Sequence, residues 1–390
     1  MDKERVDVSN VVELFAGCGG MAIGLGNAGF RHDLLVEWNK DAAHTVAHNI
    51  RRGISSVHGW DYLCSDVRAV NWKLREGVTM VAGGPPCQPF SMGGKAAGHM
   101  DIRDMWPEAI RSIREMRPEA FLFENVKGLL RTAFADYVNI IMASLSRPSA
   151  ERHQGESLRA FALRLEGMPT EYELRRFLVN AADYGAGQKR YRVIFAAFRK
   201  DLGISPVLPE PTHSEARLLW EQWVTGSYWE GHGLVKPAAS PRVIKAMEHM
   251  DMPEKLSWRT CRDVFVNLGE PGGNSSFSNH YLQSGAKVYP GHTGSPIDEP
   301  AKALKAGTHG VPGGENMLLY RDGRVRYFTV REAARLQGMP DDYEFPSAWS
   351  QSMRQLGNAV PTQLAEAFGH MMLGKLNSVH LAVDKHPVLA

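Results

Sequence analysis

Val11-Val12-Glu13-Leu14-Phe15 is a short apolar run that meets Ala16-Gly17-Cys18-Gly19-Gly20 without a spacer, and helix-like residues follow to about Gly29. A strand that enters a glycine turn and then a helix is the opening unit of a doubly wound α/β sheet, because glycines let backbone amides approach a ligand at the helix N-terminus. The same rhythm continues. Leu34-Leu35-Val36 ends in Glu37, Asn39 can cap a helix to about Asn49, and Gly53 closes it. Asp66-Val67 stands at a third strand end, Val78 to Val81 is a fourth strand, and Pro107 to Met116 is a crossover helix. Ala120-Phe121-Leu122-Phe123 is a nearly pure apolar strand stopping at Glu124-Asn125, as buried parallel strands read. Leu174 to Val179 and Arg192 to Phe198 read as an antiparallel pair that closes the sheet.

At 390 residues the chain exceeds one typical domain. Residues 147–170 are polar with little apolar periodicity and read as an insertion of no assigned function. Pro206, Pro209 and Pro211 mark a linker, and the region after it to about Arg324 holds most of the Gly-, Ser-, Asn- and His-rich turns with few long periodic segments. Helical character returns at Thr329–Leu336, with Thr329 as cap and Gly338 as stop, and at Pro361–Leu373. The expected architecture is a mostly parallel, Rossmann-like sheet in a catalytic and cofactor domain over 1–205, completed by 352–390. A smaller loop-rich domain occupies 206–351.

Ligands of such sheets bind beyond the C-terminal ends of the strands, and the sequence places chemistry there. Gly17-x-Gly19-x-x-Ala22 satisfies a loose dinucleotide fingerprint, and Glu37 falls ~20 residues on, where such folds put an acid for ribose hydroxyls. Both favour an adenosine-containing cofactor. Beyond the fourth strand, Cys87 stands among Pro85, Pro86 and Pro89, which fix the backbone, whereas Gly93, Gly94 and Gly98 around Lys95 suit a loop that folds over substrate. A stiff thiol beside a flexible lid is an active-site arrangement; a tight turn after a buried strand is the plainer alternative. Arg190 and Arg192 flank Tyr191, which puts both guanidiniums on one side of a strand as an anion clamp or a solvated edge. Loops around Gly291–Pro296, Lys302, Lys305, His309 and Gly313–Asn316 can read base edges and phosphates, a composition shared by substrate loops in general.

The charge balance, 45 − 43 = +2, neither requires nor excludes a polyanionic partner. The four cysteines form no Cys-x-x-Cys pair, so neither a disulfide framework nor a structural zinc site is expected. The N-terminus lacks the apolar core of a signal peptide and no run is long enough to span a bilayer; an intracellular protein is the expectation.

Taken together the segments resemble the C5-cytosine DNA methyltransferases of bacterial restriction-modification systems, in order and across the chain apart from 147–170 and most of 212–290. Phe15-Ala16-Gly17-Cys18-Gly19-Gly20 resembles the family's S-adenosyl-L-methionine loop, with Glu37-Trp38 and Asp66-Val67 as further cofactor elements. Gly84-Pro85-Pro86-Cys87-Gln88-Pro89-Phe90-Ser91 resembles the nucleophile motif, Glu124-Asn125-Val126 the cytosine-holding motif, and Gln188-Lys189-Arg190-Tyr191-Arg192 its arginine partner. Arg331–Gln337 resembles the element that supports the recognition domain, and Gln355–Pro361 the motif that returns to the cofactor; Met339 replaces a frequent aromatic.

The resemblance implies the chemistry. Cytosine C5 is a poor nucleophile, so a thiolate, Cys87, adds to C6 and pushes electrons onto C5, which then takes a methyl group from the sulfonium. Glu124 would hold the N3 and N4 edge, and Arg192 with Arg190 the base carbonyl and a nearby phosphate. Cofactor contacts are implied for Phe15, Gly17, Gly19, Gly20, Glu37, Trp38, Asp66, Val67, Pro86 and Asn358, with S-adenosyl-L-homocysteine as product and no metal. The base must leave the duplex to be reached. A monomer in the cytoplasm, associated with the nucleoid through double-stranded DNA and accompanied by a cognate restriction endonuclease, is the implied setting. The alternatives are a tRNA cytosine-5 methyltransferase of the same family, against which the long 200–325 region counts, and a nicotinamide-dependent oxidoreductase, which leaves the Cys87 motif unexplained. A catalytically dead relative is disfavoured because every catalytic position is filled.

Overall fold

In a computed structural model, the described residues are 9–86, 104–239, 251–272, 276–290, 292–307 and 316–385, with Pro241, Val243 and Lys245. They fall into two compact units: residues 1–179, 191–209 and 365–390, and residues 180–190 and 210–364. The second unit takes the short segment 180–190 and runs on to Leu364.

The first unit is built on seven strands, β1 (Asn10–Leu14), β2 (Arg31–Glu37), β3 (Tyr62–Cys64), β4 (Met80–Gly83), β5 (Ala120–Val126), β6 (Tyr172–Asn180) and β8 (Tyr191–Arg199), ordered β3-β2-β1-β4-β5-β8-β6. β3, β2, β1, β4 and β5 are parallel, and β8 runs antiparallel to β5. The chain winds outward from β1 to β3 and then crosses back to β4, so the switch point lies between β1 and β4, and a ligand crevice forms beyond their C-terminal ends.

Local chemistry sets the elements. α1 (Gly20–Asn27) follows the glycine turn, and α2 (Lys40–Arg52) is capped by Asn39, whose side chain accepts from Ala42 N at 3.0 Å, and stopped by Gly53 at φ 67°. α3 (Trp106–Met116) returns the chain to β5 with Pro107 in its first turn. Val12, Leu14, Val81, Phe121, Phe123, Phe195, Trp106 and Ile113 share one fully buried core, which is why β5 reads as an unbroken apolar run. β5 does not stop at Phe123. It carries Glu124 and Asn125 inside the sheet, opposite Ile194 and Val193.

Residues 147–170 are more ordered than their polarity suggested. Leu158–Glu166 forms α5, capped by Ser157, and buries Phe161 and Leu165 with Ala150 against α4 (Ala135–Ser146). Leu158, Phe161 and Leu165 stand at i, i+3 and i+7, a helical period of a single short span set among charged residues. The C-terminal helix Thr362–Lys385 is longer than expected and seats Gly369 on α1, where an added Cβ would stand 2.7 Å from the Ala28 side chain.

The second unit has short strands among loops. β7 (Gln188–Lys189) pairs with Ala301–Lys302, and Met317–Leu319 pairs antiparallel with Val325–Tyr327. An aromatic cluster of Tyr228, Trp229 and Trp258 forms a separate core. The helix Val330–Leu336 begins with the expected Thr329 cap, closed into a capping box by Glu332.

Candidate active site

The turn after β1 is strained. Phe15, a bulky non-glycine residue, has φ 56°, a conformation costing about 1–3 kcal/mol and found where function over-determines the backbone. Gly17 follows at φ 56° with open space around the position a Cβ would take. At the end of β2, Glu37 receives the Gly17 amide at 2.8 Å and the Asn39 amide at 2.7 Å, one on each carboxylate oxygen. Burial pushes its carboxyl up from the ordinary range, and those amides oppose the shift. Trp38 beside it is 70% exposed. Asp66 caps the short turn Val67–Ala69 rather than ending a strand, and Arg68 holds its carboxyl below the usual range through bonds of 2.9 Å from the amide and 3.0 Å from Nε.

These residues fit an adenosine cofactor. The amides fix the Glu37 carboxylate while leaving it lone pairs for hydroxyl donors, and the unfilled space at Gly17 admits a ligand to the backbone. Among the described residues no His, Cys, Asp and Glu cluster could hold a metal ion.

At the end of β4 two glycines permit a close approach. A Cβ on Gly83 would stand 2.3 Å from the Leu14 carbonyl oxygen, and one on Gly84 would lie 3.6 Å from Oε2 of Glu124. Asn125 Nδ2 donates to the Pro85 carbonyl at 3.0 Å. The backbone leading to Cys87 is thus braced against Glu124 and Asn125, a job for Asn125 that its motif did not disclose. An amide side chain inside an otherwise apolar strand was the available signal. Cys87 and the Gly93–Gly98 segment lie outside the described residues.

Register explains the next contact. Val126 pairs with Arg192 and Glu124 with Ile194, so Glu124 and Arg192 are diagonal neighbours on one face, and they form an ion pair between Oε1 and Nε. Their side chains are only 9% and 11% exposed, and Arg192 Nη1 also donates to the Tyr191 carbonyl at 2.8 Å. Burial lowers the guanidinium's proton affinity and Glu124 opposes that shift.

Arg190 does not share that face. β8 begins at Tyr191, so strand alternation does not reach back to Arg190, which belongs to the second unit. Its buried guanidinium donates to the carbonyl oxygens of Leu304 at 2.9 Å, Gly357 at 2.6 Å and Ala359 at 3.1 Å, satisfying acceptors left at the C-terminus of the helix Trp349–Asn358. Gln188 joins the network by donating to the Leu336 carbonyl at 2.9 Å and to Gln337 at 3.0 Å, and Gln337 in turn donates to the Leu356 carbonyl. Three separated motifs therefore meet in one buried polar cluster. Asn358 sits exposed at that helix end.

The described cysteines sort by environment. Burial pushes the Cys18 thiol up to about 12 and raises Cys261 well above its ordinary value, while Cys64 is exposed at the end of β3.

Comparison with known proteins agrees with this geometry. The family model for C-5 cytosine-specific DNA methylase matches residues 9–148 and 151–373. The chain is 30% identical over 371 residues to the type II methyltransferase M.NgoMIV of Neisseria gonorrhoeae, covering 94% of this chain and 97% of that one. It is also 30% identical over 381 residues to M.PspPI of a Psychrobacter strain, covering 95% and 80%. Two solved structures share the fold. One is an Escherichia coli prophage protein described as a DNA modification methyltransferase, with TM-score 0.59, 21% identity and coverage of 95% and 99%. The other is the Dnmt2 methyltransferase of S. pombe, with TM-score 0.55, 17% identity and coverage of 95% and 98%. The chain belongs to the C-5 cytosine-specific DNA methylase family and is a DNA (cytosine-5-)-methyltransferase.

Proposed function

We propose that Cys87 is the nucleophile, that Glu124 and Arg192 hold the target cytosine, and that Phe15, Gly17, Gly19, Gly20, Glu37, Trp38, Asp66, Val67, Pro86 and Asn358 hold S-adenosyl-L-methionine. The observation that carries this reading is the brace at the end of β4: Gly84 against the Glu124 carboxylate, Asn125 on the Pro85 carbonyl, and Glu124 paired with a buried arginine. The described backbone that leads to Cys87 is thus fixed beside a carboxylate and a guanidinium that are both largely buried, where each charge acts strongly.

The cofactor supplies an electrophilic methyl group when bound. The Cys87 thiolate adds to C6 of a cytosine turned out of the duplex, and the displaced electron pair makes C5 nucleophilic. Glu124 and N3 share a proton as charge gathers on that edge, the same carboxyl group accepts from the N4 amine, and Arg192 holds the carboxyl group and the base carbonyl. After methylation of C5 its proton leaves to a water or hydroxide, the C5–C6 double bond re-forms, and the thiolate is released. Arg190, committed to main-chain carbonyls, acts as a positioning residue for the Gly357-Asn358 turn.

The type II relatives support a role beside a cognate restriction endonuclease that spares methylated DNA, with a monomeric enzyme acting on nucleoid DNA in the cytoplasm and residues 206–351 as the target-recognition region. Incubation with methyl-tritiated cofactor and either plasmid DNA or total tRNA tests the substrate class. Label in duplex DNA, mapped by bisulfite sequencing to cytosines of one short motif, is expected; label confined to tRNA would overturn the reading.

A further inference from the structure

In the second unit a loop is held rigidly at both ends and exposed between them. Its first foot is Ser278-Asn279-His280. His280 is buried and bonded to Thr329 Oγ1 at 3.0 Å and the Gly269 carbonyl at 3.2 Å. Asn279, at φ 64°, bonds both main-chain groups of Phe345, at 2.9 and 2.8 Å. The Arg331 guanidinium donates to Ser278 through its carbonyl at 3.1 Å and its hydroxyl at 3.2 Å. Its second foot is Gly294-Ser295, where a Cβ on Gly294 would stand 3.2 Å from the Met317 carbonyl oxygen and Ser295 is fully buried.

Between the feet, Tyr281 is 72% exposed, Leu282 56%, Val288 52% and Tyr289 46%, without regular secondary structure. At the far end Tyr289 and His292 form an isolated antiparallel bridge, with ring centroids 4.5 Å apart. Four large apolar side chains held in water on one anchored loop form a contact surface rather than scattered exposure. Its charge names the partner's chemistry. No Asp or Glu occurs from Pro271 to Ile297, Lys287 is exposed on the loop, and Arg324 borders the hollow beside Leu282. The neighbouring acids are engaged: Glu270 accepts from Tyr320 at 3.4 Å, Asp322 pairs with Arg324 and Asp298 with Arg262.

We infer that the segment Tyr281–Pro290, with His292, enters the major groove of the DNA substrate, with Tyr289 and His292 reading base edges and Lys287 meeting a phosphate. The inference rests on the DNA-methyltransferase reading and goes further by assigning discrimination to two side chains. A narrow projecting loop suits a groove about 12 Å wide, and a phenol and an imidazole both offer hydrogen bonds to base edges.

The test uses the whole protein. Bisulfite sequencing of DNA methylated by wild type defines the site, and kcat/KM is then measured on that duplex and on duplexes with one base pair exchanged. For Tyr289→Ala and His292→Ala the cognate-to-exchanged ratio should fall roughly tenfold or more at one position, with cofactor affinity and Tm unchanged. For Lys287→Ala all duplexes should weaken alike and the salt slope should drop by about one. Full discrimination retained by folded Tyr289→Ala and His292→Ala, and by the milder Tyr289→Ser, overturns the loop assignment alone. A dimer in sedimentation that Tyr281→Ser with Tyr289→Ser dissolves, discrimination being kept, also overturns it. A wild type that methylates no duplex overturns the underlying reading and this inference with it.

Discussion

Replacing Arg192 by methionine tests the buried pair, because it leaves the Glu124 charge buried without the arginine. The carboxylate is 9% exposed, and removing its partner strands a charge in a site with little water. Breaking a buried ion pair by deleting one member costs about 3–5 kcal/mol. Urea unfolding of wild type and Arg192→Met at pH 7.0 should show a deficit of that size. Adding Glu124→Gln should recover much of it, because the amide carries no charge to strand. A deficit below about 1 kcal/mol, or one that simply adds to that of Glu124→Gln, would show that the two side chains do not form a coupled buried pair.

Glu37 gives a pH signature: ribose hydroxyls need the carboxylate, and burial raises its pKa, so cofactor affinity should hold at neutral pH and fail on acidification at a higher pH than for an ordinary glutamate. Calorimetry should show this loss in wild type and a weak, pH-independent affinity in Glu37→Gln. Gly357→Ala should destabilise the second unit by roughly 1–3 kcal/mol or more in thermal unfolding, since its Cβ would meet the Ala306 amide nitrogen at 2.3 Å. Asn125→Ala should lower kcat at least about tenfold while cofactor affinity stays within twofold, because Asn125 braces Pro85 and touches no proposed cofactor residue.

Elements whose chemistry is local were legible in the chain. β1 with its glycine turn, the Asn39 and Thr329 caps, and the apolar runs of β4 and β5 each carry their own signal, and their strand ends mark the crevice. Glu124, Arg192 and Glu37 could be picked out because charged side chains at apolar strand ends are rare. What the sequence hid depends on partners far along the chain. Arg190 looks like a twin of Arg192, yet its acceptors are the carbonyls of residues 304, 357 and 359. The role of Asn125 needed the position of Pro85, and the Leu158, Phe161, Leu165 period of α5 is a single short one within a polar stretch. Asp66 showed as an acid, but the Arg68 pair that lowers its pKa depends on the turn geometry.

The central claim is that Cys87 forms a covalent bond to C6 and that the reaction ends with loss of the C5 proton. A duplex carrying 5-fluorocytosine at the methylated position replaces that proton with fluorine, which cannot leave as a cation, so the enzyme should remain attached after methyl transfer. Denaturing electrophoresis should show a slower band that requires S-adenosyl-L-methionine, peptide mass spectrometry should place the adduct on Cys87, and Cys87→Ala should give no band while still binding cofactor. The buried thiols of Cys18 and Cys261 should stay unmodified. An adduct formed by Cys87→Ala, or mapped to Cys18, Cys64 or Cys261, would contradict the account.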